Sequence, residues 1–168
     1  MAFSEICEQI TLQVMTNNQL EKIIDNLDTV FRGDAWHGPS VMEFLNSMPL
    51  DIVDVQKNFS KHTICQIVYH LSAWRIFVYE KLNDNIRYDL VNEIDNYGSE
   101  EEITKANWHN LVTNLKVSQD KLMEKLSEFD DSLLNQLVPG QDYDFYKLLT
   151  GLIQHDTYHL GMIWVLWD

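Results

Sequence analysis

Six histidines stand at positions 37, 62, 70, 109, 155 and 159. His155 and His159 are four residues apart, a spacing that stacks two side chains on one face of a helix. At about 100° per residue, both fall in the arc carrying Leu148, Leu152, Ile163 and Leu166, the side expected to meet a core. His70, on an earlier helical stretch, lies between Trp74 and Phe77 on the flank of an apolar stripe. A charged imidazole is costly to bury, and a neutral one needs partners for both nitrogens. One divalent ion satisfies three rings at once, and two ligands from one helix with a third from a facing helix can build such a site inside a bundle. Spacing alone leaves one alternative open: three hydrogen-bonded core histidines without a metal.

Three neutral histidines leave an ion its full double charge and at least one open position. Such an ion lowers the pKa of bound water to near 7 or activates a thiolate. Zinc suits these ligands best, and nickel, iron and manganese also accept imidazole. A di-iron carboxylate centre is disfavoured, because it uses Glu-x-x-His and no histidine here follows a Glu by three residues. The run His155-Asp156-Thr157-Tyr158-His159 places Asp where a zincin has Glu, and the shorter side chain reaches a metal-bound water poorly. No nucleophile elbow, dinucleotide fingerprint or phosphate-binding loop is present.

Other residues have two readings each. His37, in a Gly-Pro turn beside Trp36, is a rim residue for proton transfer or substrate contact, or an anchor for its loop. His62 lies about two turns before His70 and either lines a pocket or bonds the backbone at a helix start. Asp156 either orients a ligand imidazole or is a partly solvated acid. His109 has no motif around it, and Cys65 reads as a buried, inert thiol. Trp164, Trp167 and Tyr158 fall largely off the histidine face; they pack against other helices or, if exposed, mark a homodimer surface.

These residues need helices to position them, and the apolar period is helical throughout. A short N-terminal helix is predicted over Phe3, Ile6, Ile10 and Val14, ended by a cap in Thr16-Asn17-Asn18. The next runs from Leu20 to Phe31 and stops at Gly33. A short helix over Val41–Asn46 follows, with Pro39 in its first turn. A long one over about His62–Leu82 is capped by Ser60 or Thr63. The third long helix starts at the Ser99–Glu102 capping box and carries Trp108, Leu111, Val112, Leu115, Leu122 and Phe129. The last runs from about Tyr143 to the C-terminus. Four long amphipathic helices pack most simply as an all-α four-helix bundle.

Composition narrows the function classes. The chain has 168 residues with 45% hydrophobic content, enough for the core of one domain. Residues 1–16 read as an extension and 17–168 as the bundle. Twelve basic against 26 acidic residues give a net charge of −14. A surface that acidic repels phosphate backbones and anionic lipid, so neither nucleic acid nor membrane is an expected partner. No apolar run reaches the length of a membrane span, the first residues do not read as a signal peptide, and Cys7 and Cys65 form no disulfide framework. A cytoplasmic protein is expected.

Three fragments in order carry a family resemblance: Trp36-His37-Gly38-Pro39-Ser40; Lys61-His62-Thr63-Ile64 leading to Val68-Tyr69-His70-Leu71-Ser72-Ala73-Trp74; and Gly151 to Gly161 around the histidine pair. Together they resemble the DinB/YfiT-like superfamily of metal-binding four-helix bundles over roughly Leu20–Leu166. The resemblance implies metal ligands at His70, His155 and His159, the trio the helical wheels select. It also implies a thiol-dependent S-transferase or a hydrolase, with a low-molecular-weight thiol as co-substrate in the first case. A non-catalytic, stress-related metal-binding protein is the alternative. One departure is Met162, where the family pattern has Gln; a polar contact from that position is lost, while the three ligands are kept.

Overall fold

The computed structural model describes residues 19–167. The predicted N-terminal helix through Phe3, Ile6, Ile10 and Val14, with its Thr16-Asn17-Asn18 cap, lies outside them. The described fold is all-α. Six α-helices follow one another: α1 (Gln19–Arg32), α2 (Val41–Asn46), α3 (Ile64–Leu82), α4 (Glu93–Tyr97), α5 (Trp108–Leu126) and α6 (Phe145–Trp167). Two 3₁₀ turns, Lys105–Asn107 and Asp131–Asn135, precede α5 and α6. No strand occurs among the described residues, and one isolated antiparallel bridge joins Leu137 to Asp144. No described helix is long and apolar enough to cross a membrane.

Local chemistry explains where most helices begin. Thr63 caps α3: its hydroxyl accepts from Gln66 N–H at 3.2 Å, and the Gln66 side chain accepts from Thr63 N–H at 2.9 Å. Ser40 and Glu43 make the same reciprocal pair at α2. Pro39 therefore sits one residue before the cap rather than in the first helical turn, because Ser40 takes the capping position. Asp144 accepts from Lys147 N–H at 2.8 Å, so α6 starts at Phe145 rather than Tyr143. The start of α5 also differs from expectation. Ser99 N–H does donate to Glu102 at 3.0 Å, but this closes a turn. Thr104 is extended, Lys105 N–H donates to Asp54 at 2.8 Å, and the helix begins only at Trp108. At the other end, Phe129 lies beyond α5, just before Asp130 caps the second 3₁₀ turn.

The core has two apolar clusters. One gathers Phe31, the first half of α3, Trp108, Leu111 and Leu115 of α5, and the last turns of α6. The other gathers Leu20 to Leu27, the last half of α3, Leu122 and Leu126, and the first half of α6. It follows that α3 and α5 run in one direction and α1 and α6 in the other. The two parallel helices are joined by a long crossover that contains α4. Between the clusters each long helix places polar side chains: Asp28 on α1; His70, Ser72 and Arg75 on α3; Ser118 and Gln119 on α5; His155, Asp156 and His159 on α6. Burial of the apolar halves, at roughly 25 cal/mol per Å², drives assembly, and the polar layer is carried between them.

Candidate metal centre

The three selected histidines meet in that layer. One nitrogen from each of His70, His155 and His159 lies within 4.8 Å of the others. The closest approach is between Nε2 of His70 and Nε2 of His155, at 2.9 Å. The His159 ring centroid is 4.4 Å from that of His155 and 4.8 Å from that of His70. Among the described residues no fourth His, Cys, Asp or Glu joins the group.

The crossover fixes the His70 ring. Its Nδ1–H donates to the Asn96 carbonyl at 3.1 Å. A carbonyl can only accept, so the proton is on Nδ1 and the Nε2 lone pair faces the other two rings. Tyr97, the next residue, stacks on the His70 ring at 4.4 Å with an interplanar angle of 6°. His62 stacks on Tyr97 in turn, at 3.6 Å and 7°. The two residues that hold His70 therefore belong to one short helix, α4.

Burial sets the protonation state. It pushes His70 and His159 down to about 4 and, together with the neighbouring imidazoles, His155 down to about 2. All three are neutral at pH 7, the form that can ligate a metal. His155 Nε2 lies at hydrogen-bond distance from the bare Nε2 of His70, while Nδ1 of both His155 and His159 is buried without a partner. Three converging neutral imidazoles are a donor set that fits a divalent transition ion.

Asp156 sits between His155 and His159 in sequence, but its side chain goes elsewhere. It is fully buried, and both its oxygens accept from Arg75, one of them at 3.1 Å. Arg75 Nε donates to Gln119 at 2.8 Å, its Nη1 also donates to the Leu71 carbonyl at 3.0 Å, and its guanidinium lies 4.7 Å from the Phe31 ring centre. Burial pushes the Asp156 carboxyl up, opposed by the Arg75 guanidinium. Asp156 therefore ties α6 to α3 rather than accepting from a ligand imidazole.

His62 is buried just before the α3 cap, with Nδ1 unpartnered and Nε2 4.0 Å from Glu93. It reaches the triad through Tyr97, not directly. His37 is exposed and lines a surface groove with Pro39, Phe44, Leu160, Gly161 and Trp164, a groove to which none of the three histidines contributes. His109 is exposed, and Cys65 is buried with its thiol pushed up to about 12. The residues missed in the sequence are Asn96, Tyr97, Arg75 and Trp74, whose ring centroid is 5.5 Å from that of His155. Arg75 and Trp74 had a visible signal, a lone cation and a large aromatic within the apolar run Ala73–Val78.

No family model, curated protein or solved structure matches the chain.

Proposed function

We propose that the chain is a DinB/YfiT-like four-helix bundle in which His70, His155 and His159 hold one divalent transition metal, zinc foremost and nickel next. On this reading it is a cytoplasmic metal-dependent enzyme acting on small molecules, either a thiol-dependent S-transferase or a hydrolase. The observation that carries it is the convergence of three neutral imidazoles from two helices with no fourth protein ligand among the described residues. A closed structural site takes four protein ligands, whereas a catalytic one keeps a position open.

When bound, such an ion supplies Lewis acidity toward water or a thiol at neutral pH. The chain's own residues do the positioning. Asn96 and Tyr97 hold the His70 ring, and the Arg75–Asp156 pair keeps α6 in register with α3. Cys65 is buried with a high thiol pKa, which unsuits it as the reacting thiol, and on this reading a low-molecular-weight co-substrate supplies the thiol.

A second reading is a metal-binding protein that works by association rather than catalysis. It draws support from exposed aromatics: Trp36 is 100% exposed, Tyr158 65% and Trp164 55%. The same residues offer a surface for a homodimer.

Elemental analysis of tag-free protein, purified without added metal beside a His70→Ala variant, tests the proposal. About one transition metal per wild-type chain and none in the variant is the expected result. A wild type that cannot be loaded with zinc or nickel overturns it. Thiol-transfer and hydrolase screens on the loaded protein then separate the enzyme from the association reading.

A further inference from the structure

A cavity of ≈ 230 Å³ opens beside the triad, lined by Trp74, Lys147, Leu148, Gly151, Leu152 and His155 among others. Lys147, Gly151 and His155 follow one another at four-residue intervals, so they share one face of α6 and span about 12 Å along its axis. Lys147 marks one end of the cavity and His155 the other.

Gly151 is the unusual choice on this face. Glycine weakens a helix interior relative to alanine, and here no packing contact demands it: a Cβ at this position would meet no atom within 4 Å. What the missing side chain does is leave the middle of the cavity open. Leu148 and Leu152 make the surroundings apolar. An apolar protein cavity of about 150 Å³ admits benzene, so this one has room for a ring and a short chain.

Two of the polar groups at the cavity are donors only, while Tyr143 and neutral His155 both donate and accept. Trp74 Nε1 is buried without a partner, and Lys147 Nζ stands 5.4 Å from the Tyr143 ring centre at the far end. No Asp or Glu among the described residues lines the space, although the chain carries a net charge of −14. Lys147 is exposed at the cavity mouth, where its single ammonium matches the one negative charge of a carboxylate better than the nearly two of a phosphate, while the buried indole N–H of Trp74 is left to an acceptor on the ligand's body.

We infer that this cavity binds a small apolar carboxylic acid, with its body over Gly151 beside Trp74, its carboxylate at Lys147 and its other end against His155. The inference rests on the metal-centre reading, since that reading makes the His155 end the reacting end.

The test uses 3-phenylpropionate and its neutral amide, with binding to metal-loaded protein followed by calorimetry or ligand-observed NMR. Wild type should bind the acid at least about tenfold more tightly than the amide, as expected for a charge-assisted contact. Gly151→Leu should abolish binding of both while keeping its metal and its melting temperature. Lys147→Gln should remove the preference for the acid and leave amide binding unchanged. Failure of metal-loaded wild type to bind the acid overturns the inference, as does an amide that binds equally well. Acid binding that survives Gly151→Leu but vanishes on chelation means coordination to the metal alone and also overturns it. Binding that is sensitive to Gly151→Leu in a wild type that cannot take up metal upholds the cavity and overturns the metal centre instead.

Discussion

Nε2 of His70 and Nε2 of His155 face each other at 2.9 Å across α3 and α6, and the His70 nitrogen carries no proton because its Nδ1–H is given to Asn96. A lone pair is thus aimed from one helix at a ring on another. If the two share an ion, His155→Ala should lose the metal while His37→Ala, altered at an exposed loop, keeps it at wild-type stoichiometry. Metal analysis of the two variants side by side checks this, and full retention in His155→Ala counts against the site.

The depressed histidine pKa values give the metal-free protein a defined acid response. In the unfolded chain each histidine protonates near 6.5, whereas in the fold His70 and His159 hold out to about 4 and His155 to about 2. Between those limits the unfolded state binds more protons, so stability falls as pH falls. Chelated protein should therefore lose stability from about pH 6.5 downward, measured by urea unfolding at several pH values. In the His70→Ala/His155→Ala/His159→Ala triple variant this slope should be shallower.

Tyr97 touches His70 face to face, so an ion held by His70 would feel it through that ring. Tyr97→Ala should weaken metal affinity by about 10- to 100-fold, the usual effect of removing a group that orients a ligand. Tyr97→Phe keeps the stacked face and should restore affinity. A competition titration against a chromophoric chelator reads both. Equal affinities in Tyr97→Ala and wild type would falsify the positioning role.

Arg75 and Asp156 are both fully buried. Arg75→Met leaves a buried carboxylate alone and should cost about 3–5 kcal/mol of stability. The double variant Arg75→Met/Asp156→Leu removes both charges and should recover part of that loss, less than all of it because Gln119 then lacks its donor. Denaturant midpoints of the single and double variants give the comparison.

A homodimer across the exposed aromatics should be sensitive to charge placed among them. Trp164 stacks on Phe44 at 5.1 Å and is still half exposed. Trp164→Glu should shift a dimer to monomer in analytical ultracentrifugation without loss of metal. A wild type that sediments as a monomer at high concentration removes the dimer proposal.

The triad was legible because a 3.6-residue period converts sequence spacing directly into a shared face. The same arithmetic separates neighbours: Asp156 is about 100° around the helix from His155, and so it meets Arg75 while His155 meets His70. The bounds of α2 were legible because Ser40 and Glu43 form a reciprocal cap. Ser99 and Glu102 make a similar local bond in a turn, and a distant contact, Lys105 to Asp54, accompanies the delayed helix start. Asn96 and Tyr97 were not legible at all. They sit in a helix of 5 residues, too short to show a period, and only tertiary packing brings it onto His70.

The polar layer between the two apolar clusters also bears on how the molecule comes apart. Every long helix has one part in each cluster, so no helix can detach from one cluster without straining its hold on the other. The buried Arg75–Asp156 pair and the histidines lie where any such partial opening would begin, and exposing one half would leave their partners stranded in an apolar remainder. Sub-global states are thereby penalised from both sides, and loss of structure is expected as a single cooperative transition rather than as two halves melting in turn.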